Sequence, residues 1–187
     1  MEETIVSQFK KAEDAIQKAM EHLQQELINI RTGKAAPSML SGIMVEYYGN
    51  PTPLNQVANV TTPDAKTLAI QPWEKSMLGS IEQAIFQANI GLTPMNDGEF
   101  VRINIPPLTE ERRIELVKQT KGIGEDTKVS LRTIRHKVID FINKEIKAGY
   151  PEDAGKRDEE KMQKMIKEGA EKIEKILEAK EGEIMKV

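Results

Sequence analysis

Apolar side chains recur at steps of three and four residues over the first thirty positions. This spacing places them on one face of a helix, while Lys10, Glu13 and Lys18 lie off that face. A single apolar stripe does not stabilise an isolated helix in water, so the pattern also predicts a partner for it. The stripe consists of Ile5, Phe9, Ala12, Ile16, Ala19, Leu23, Leu27 and Ile30.

A second long helix is predicted from Thr109 to Lys147. Thr109 is a suitable N-cap, and a Gly-Tyr-Pro sequence directly after the helix stops it. Gly122 and Gly124 weaken its middle by about 1 kcal/mol each relative to alanine and mark a candidate bend. The residues expected to face inward are Ile114, Val117, Leu131, Ile134, Val138, Phe141, Ile142 and Ile146.

A third helix is predicted from about Asp153 to Met185, with Glu and Lys residues on a solvated outer face. Its apolar face carries Met162, Ile166, Ala170, Ile173, Leu177 and Ile184. Three helices with one stripe each can bury these stripes against one another. The pattern therefore predicts an elongated three-helix bundle.

The segment between the first and second helices has a different character. Glycine and proline punctuate it, and short β-type runs occupy residues 43–47, 67–70 and 100–105 around one shorter helix at 75–88. This α+β pattern predicts a small α/β (β-α-β sandwich-like) domain. The predicted domain spans residues 31–106 and is inserted into a bundle formed by residues 1–30 and 107–187.

Three aromatic residues of this segment carry expectations of their own. Trp73, the only tryptophan, is expected in the core of the inserted domain. Tyr47 and Tyr48 are adjacent, so one should face inward and the other outward. An exposed tyrosine can stack on RNA, although a plain sheet surface is the commoner arrangement.

An inserted domain is joined to its host by two connections that run side by side. Here they include Thr32 and Gly33 on one side and Pro106 and Pro107 on the other. Glycine loosens the first connection and the tandem prolines stiffen the second. These features predict an L-shaped molecule with a hinge at the four residues, although prolines also serve simply to end a strand and start a helix.

Composition excludes several classes of function. The chain has 187 residues and no cysteine, which rules out a disulfide framework or thiolate metal site and favours the cytoplasm. No apolar run reaches the length of a membrane span. His22 and His136 are the only histidines and fall on different helices, and no phosphate-binding loop occurs. We expect no enzyme, no metal and no cofactor.

The net charge of -3 hides a basic region. Residues 102–150 contain 11 basic and 7 acidic side chains, and local excess rather than total charge governs binding to a polyanion. Arg132 and Arg135 are three residues apart, and Lys128 precedes Arg132 by four, so all three share one helix face. By itself this pattern is more often an ordinary solvated helix face than a binding site.

Several stretches are similar to one family. They are residues 31–40 (RTGKAAPSML), 45–49 (VEYYG), 53–58 (PLNQVA), 91–94 (GLTP) and 102–113, which include the distinctive PPLTEERR sequence. In their order, and over nearly the whole chain, they resemble the bacterial ribosome recycling factors. The resemblance implies a three-helix bundle with an inserted domain in a non-enzymatic, monomeric translation factor.

The resemblance also implies partners and a site. Such a factor binds large-subunit ribosomal RNA in the post-termination ribosome, and elongation factor G with GTP then drives the subunits apart. The RNA-contacting cations correspond to Arg31, Arg132 and Arg135, and Arg112 and Arg113 match the motif at the start of the second helix.

Alternatives remain open at this point. Arg112 and Arg113 can instead pair with nearby glutamates, and Arg31 can brace the hinge. Lys34 stands where the family usually has arginine, and His136 stands where a further basic residue is common. A ribosome-silencing factor would bind without splitting the subunits, and a chaperone-like helical protein would leave a stripe exposed.

Overall fold

A computed structural model describes residues 4–186 of the chain. Two short 3-10 turns, Pro37–Leu40 and Lys75–Met77, accompany the regular elements. The helices are α1 (Ile5–Ile28), α2 (Leu54–Val57), α3 (Leu78–Gln87), α4 (Glu110–Lys147) and α5 (Glu152–Met185). The strands are β1 (Met44–Tyr47), β2 (Asn50–Pro53), β3 (Ala58–Asp64), β4 (Thr67–Pro72), β5 (Pro94–Asn96) and β6 (Val101–Asn104).

The chain divides into two compact units, which confirms a mixed α+β fold made of long helices and a small sheet domain. The bundle unit comprises the described residues up to Arg31 and those from Thr109 onward. The inserted unit comprises Thr32–Leu108. Within residues 4–186, no helix is both long enough and apolar enough to cross a membrane.

Side-chain caps fix where two of the long helices begin. The Thr4 hydroxyl accepts a hydrogen bond from the Ser7 backbone N–H at 3.1 Å, and Ser7 accepts one from the Thr4 N–H in return. At α4 the Thr109 hydroxyl accepts from the Arg112 N–H at 3.2 Å, which confirms Thr109 as the predicted N-cap. Each cap satisfies backbone donors that the first turn leaves without a helical partner.

The buried stripe of α4 differs from the predicted one. The inward prediction is wrong for Ile114, which is 48% exposed. Thr120 and Thr127 are buried instead. Their hydroxyls donate to the carbonyls of Leu116 and Ile123 at 2.8 and 3.0 Å within the helix, so burial leaves neither hydroxyl without a hydrogen bond. The full buried stripe is Leu116, Thr120, Gly124, Thr127, Leu131, Val138 and Ile142.

Glycines let α5 approach its neighbours closely. A Cβ built on Gly124 would lie 3.1 Å from Leu177 Cγ and closer still to both δ-carbons, and one on Gly155 would lie 2.9 Å from Ile146 Cγ1. The predicted weakening by Gly122 and Gly124 does not interrupt α4, which is helical from Glu110 to Lys147. Gly124 therefore serves packing between helices rather than a break.

Two antiparallel sheets and α3 form the inserted unit. β1 and β2 make a hairpin, while the other four strands form a sheet in the order β3-β4-β6-β5. The predicted runs correspond to β1, β4 and β6, whereas β2, β3 and β5 were not predicted. The side chains that this core excludes fully from solvent are Val45, Leu68, Ile70, Ile81, Ile85, Val101 and Ile103.

The prediction that Trp73 belongs to this core is wrong, because its side chain is 69% exposed. Pro72, the last residue of β4, is buried in its place, and the next side chain along the chain points outward. Tyr47 is half-buried against the core and Tyr48 is 76% exposed, as the alternation predicts. The two rings nevertheless do not face opposite ways, because φ of +46° at Tyr48 breaks the alternation and both hydroxyls donate to Glu74.

Candidate nucleic-acid interface

A shallow groove of about 700 Å³ lies between α4 and α5, and Arg132 is exposed on its α4 side. Lys128 also lines it from α4, and Lys167 and Lys175 line it from α5. Four cations on two helices can therefore face one anionic ligand. Carboxylates also lie along the groove, on Glu171, Glu174 and Glu178 of α5.

The charge of Lys128 is already compensated within the protein. Its Nζ donates to the Glu125 carboxylate at 3.2 Å and to the Glu174 carboxylate across the α4–α5 interface. These hydrogen bonds, that to Glu174 foremost, raise the pKa of Lys128. Its side chain is only 25% exposed. Lys128 thus lies on the predicted face, but it contributes less net positive potential than Arg132.

Arg135 lies partly under the surface of the bundle. Its side chain is half-buried, and Nε is buried with no hydrogen-bond partner among residues 4–186. An unsatisfied buried donor costs roughly 1–3 kcal/mol. Arginine's planar fork matches phosphate oxygens through the outer guanidinium nitrogens, whereas the buried Nε is not accessible to a ligand.

The two arginines at the start of α4 are engaged inside the bundle unit. Arg112 Nη1 lies 2.8 Å from the Glu115 carboxylate. Arg113 Nη1 donates to the Met185 carbonyl at 3.2 Å, where the negative end of the α5 dipole favours a cation. The alternative of pairing with a nearby glutamate, left open by the sequence, therefore describes Arg112 in this structure, whereas Arg113 bonds a backbone carbonyl of α5.

The predicted hinge residues flank the division between the two units. Gly33 has φ of +79°, a conformation that favours glycine, and a Cβ there would lie 3.3 Å from Leu108 Cγ. Pro106 and Pro107 are exposed, and Thr32 is half-buried. Arg31 is exposed at the end of the first bundle segment.

Backbone hydrogen bonds hold both connections to one turn of the inserted unit. The Ala35 N–H donates to the Ala65 carbonyl at 2.8 Å, and the Ile105 N–H donates to the Lys66 carbonyl at 2.7 Å. Because Ala65 and Lys66 are neighbours between β3 and β4, this turn fixes both ends of the insertion. Only residues 32–34 and 106–108 lie between these hydrogen bonds and the bundle unit.

The sequence interpretation missed Lys167 and Lys175. They are eight residues apart, hence on one face of α5, but they lie among so many Glu and Lys residues that their spacing alone did not distinguish them. Only the packing of α5 against α4 brings them into the groove with Arg132. Lys34 and His136, the two residues that depart from the family's usual arginine or basic residue, are both exposed.

Comparisons with known proteins identify relatives over the whole chain. The profile of the family described as "Ribosome recycling factor" matches residues 23–185. A ribosome-recycling factor of Porphyromonas gingivalis is 52% identical over 178 residues, covering 95% of this chain and 96% of that protein. One from Flavobacterium johnsoniae is 46% identical over 187 residues, with both chains fully covered.

Solved structures give the same result. The solution structure of a ribosome recycling factor superimposes with a TM-score of 0.77 at 36% identity, covering 100% of both chains. A second solved structure superimposes with a TM-score of 0.64 at 40% identity and covers 98% of this chain and 100% of the other. It is described as models for the T. thermophilus ribosome recycling factor and the E. coli elongation factor G bound to the E. coli post-termination complex.

A long-helix bundle with an inserted sheet domain defines a class of two-unit α+β proteins. The family profile and the near-complete coverage of relatives define the family within that class. The chain belongs to the ribosome recycling factor family.

Proposed function

We propose that this chain binds the post-termination ribosome in the cytoplasm as a monomer. With elongation factor G and GTP, it then promotes dissociation into subunits and release from messenger RNA. Family membership carries this proposal, and the relative described together with elongation factor G on a post-termination complex supports it. The chain itself acts by binding and not by bond chemistry.

The bundle unit contacts large-subunit ribosomal RNA in this proposal. Arg132 and Arg135 are the leading contacts, since Arg132 is exposed and Arg135 is three residues further on, on the same helix face. Phosphate contacts by such cations release counterions, so binding should weaken steeply with salt. Arg31 adds a cation beside the hinge, while Arg112 and Arg113 would have to exchange internal partners for RNA.

The inserted unit transmits the action of elongation factor G through the hinge. Thr32, Gly33, Pro106 and Pro107 form the pivot in this proposal, since the hydrogen bonds at Ala35 and Ile105 hold the residues beyond them to the inserted unit. Short connections transmit rotation more directly than a long flexible linker would.

The test is sedimentation of post-termination ribosomes after adding this chain, elongation factor G and GTP, with each omitted in turn. Splitting that requires all three components supports recycling. Binding without splitting would instead identify a silencing factor. Absence of any ribosome binding would overturn the proposal altogether.

A pair of variants tests the RNA face within the same assay. Arg132→Gln should weaken binding to the large subunit. It should also make the negative slope of log affinity against log salt concentration shallower by about 1. Lys137→Gln is the matched control, because Lys137 is an exposed cation of α4 on a different face. Equal effects of the two variants would remove Arg132 from the interface.

A further inference from the structure

A cavity of about 450 Å³ lies beside the first residues of β3 in the inserted unit. Three segments line it: the 3-10 turn Pro37–Leu40 with the loop that follows, the end of β2 with the start of α2, and residues 58–60 of β3. A space of this size accommodates a small organic ligand, since ligand pockets commonly measure about 300–1,000 Å³. We call it the β3 cavity.

The lining of the β3 cavity combines buried apolar residues with exposed polar ones that carry no charge. Leu40, Ile43 and Leu54 are at most 7% exposed. The polar lining residues, all exposed, are Ser38, Ser41, Asn55 and Asn59. No lining residue in the described part of the chain is ionised, so a phosphate or carboxylate would find no countercharge in the cavity. A neutral ligand with apolar faces does not need one.

The strand register shows which backbone groups of β3 point away from β4. The Trp73 N–H donates to the Val57 carbonyl at 3.0 Å, directly before the β3–β4 ladder. Hydrogen-bonded and non-hydrogen-bonded pairs alternate along two antiparallel strands. Counted from Val57, the residues that bond to β4 are Asn59 and Thr61. Val60, which lies between them, therefore directs its N–H and its carbonyl to the opposite edge of β3.

Val60 brings these two outward groups to the cavity. β3 is an edge strand of its sheet, and Val60 lines the cavity, whereas no described residue of β4 does. Neither the N–H nor the carbonyl of Val60 has a backbone partner within residues 4–186. The strand edge therefore offers one donor and one acceptor, side by side on a single residue, to a ligand in the cavity.

The free edge of β3 is too short to pair with another strand. The Ala58 N–H is already bonded to the Leu54 carbonyl. Beyond Val60 the pairing loses its regular register between Thr61 and Asp64, and Pro63 has no N–H to donate. A peptide that extends a sheet needs a row of donor and acceptor groups. A flat ring with one donor next to one acceptor needs a single pair.

We propose that the β3 cavity binds one unstacked nucleobase. In adenine, a ring nitrogen accepts from the Val60 N–H, and the exocyclic amino group beside it donates to the Val60 carbonyl. The uncharged faces of the base contact the apolar lining, including Leu54. The base belongs to a free nucleoside or is extruded from an RNA loop or bulge, where bases present these edges. The proposal goes beyond subunit splitting and does not depend on it.

Salt separates this site from the groove between α4 and α5. Phosphate contacts by Arg132 should weaken as salt rises, because they release counterions. No described cation lines the β3 cavity, so adenosine should bind there with the same affinity at low and high salt. For the same reason adenosine monophosphate should bind no more tightly than adenosine.

Amide NMR of the full-length, isotope-labelled protein provides the test. Adenosine should shift the Val60 amide resonance saturably, with the millimolar affinity expected of a ligand this small. Dimethyladenosine, whose amino group has lost both hydrogens, cannot donate to the Val60 carbonyl. It should bind about tenfold more weakly than adenosine.

Two RNA hairpins that differ only by one bulged adenine distinguish the sources of the base. Only amides of the cavity lining are compared, because phosphates also contact the bundle unit in the proposed function. A larger Val60 shift with the bulged hairpin than with the fully paired one supports RNA as the source. A response to adenosine alone supports a free nucleoside.

Serine variants assign the effect to the cavity. Ser38→Phe and Ser41→Phe each add a ring to its lining, and at least one should weaken adenosine by about tenfold. Ser76→Phe is the matched control, because Ser76 is an exposed serine of the inserted unit outside the cavity lining. The amide spectrum of each variant shows whether it is folded before the titration begins.

Four results would overturn the proposal. One is the absence of a saturable Val60 shift with adenosine up to about 20 mM, a concentration that detects millimolar affinity. Another is dimethyladenosine binding as tightly as adenosine. A third is undiminished affinity in both Ser38→Phe and Ser41→Phe. The last is adenosine monophosphate binding at least about tenfold more tightly than adenosine, which would make the cavity a phosphate site.

Discussion

Gly122 and Gly124 lie two residues apart in α4 but should respond oppositely to alanine. Either substitution favours the helix by about 1 kcal/mol through propensity. A Cβ on Gly122 meets nothing within 4 Å. Gly122→Ala should therefore raise the free energy of unfolding by nearly that full amount.

At Gly124 the same methyl group collides with Leu177. The new Cβ would lie 2.9 Å from Leu177 Cδ2 and 3.1 Å from Cγ, and nearer still to Cδ1. Rotating the δ-carbons alone does not clear the Cγ contact, and Leu177 is only 5% exposed. Overpacking of this kind costs about 1–3 kcal/mol, which cancels or exceeds the gain in propensity. Gly124→Ala should thus be less stable than Gly122→Ala by about 1–3 kcal/mol.

The measurement is urea unfolding followed by helical circular dichroism, which in this chain reports mainly the bundle. Trp73 fluorescence follows the inserted unit in the same samples. Equal stability of Gly122→Ala and Gly124→Ala would show that α5 gives way to the methyl group at no cost. That result would refute the argument that Gly124 is required for close helix packing.

Three further outcomes are expected. In ribosome binding, Lys128→Gln should lower the salt slope by less than half as much as Arg132→Gln, because internal carboxylates already compensate Lys128. Hydrogen bonds from the Phe100 N–H, the largest cause, and from the Arg102 side chain lower the pKa of Asp97 from 3.8 to about 2. The ionised Asp97 carboxylate therefore stabilises the fold above about pH 4, and this stabilisation is lost as the pH falls toward 2. Trp73-monitored unfolding should show this loss in the wild type and a weaker pH dependence in Asp97→Asn. Thr109→Ala should destabilise the bundle by about 1 kcal/mol in urea unfolding through loss of the α4 cap.

Each of these has a control and a contrary result. Identical salt slopes for the two cation variants would mean that RNA displaces the internal partners of Lys128. A pH dependence unaltered in Asp97→Asn would place the acid-sensitive group elsewhere. Thr133→Ala serves as the control for the cap, since the Thr133 hydroxyl donates within α4 to the Val129 carbonyl at an exposed position.

The sequence predicted the long helices well because each carries a sustained apolar period and a recognisable start or stop. The predicted span of Thr109 to Lys147 matches α4 and its cap closely. The prediction of buried residues from the sequence failed where burial does not follow hydrophobicity. Thr120 and Gly124 are buried by helix contact, whereas the apolar Ile114 and Trp73 are exposed.

The short strands and the groove were harder to predict for different reasons. β2 contains two prolines and β5 has only three residues, so neither shows an alternating pattern. The positions of Arg132 and Arg135 on α4 followed from spacing and resemblance. Their partners did not, because the Lys128–Glu174 ion pair and the α5 lysines depend on contacts between distant segments.

The discontinuous bundle has a consequence for the order of events during synthesis. The inserted unit is contiguous, so all of it is synthesised before α4. Between Ile28 at the end of α1 and Glu110 at the start of α4, synthesis at about 5–20 residues per second takes roughly 4–16 s. Throughout that interval the apolar stripe of α1 has no α4 or α5 to cover it. The nascent chain therefore presents an amphipathic helix that a chaperone can bind, and this exposure ends only when the C-terminal helices arrive.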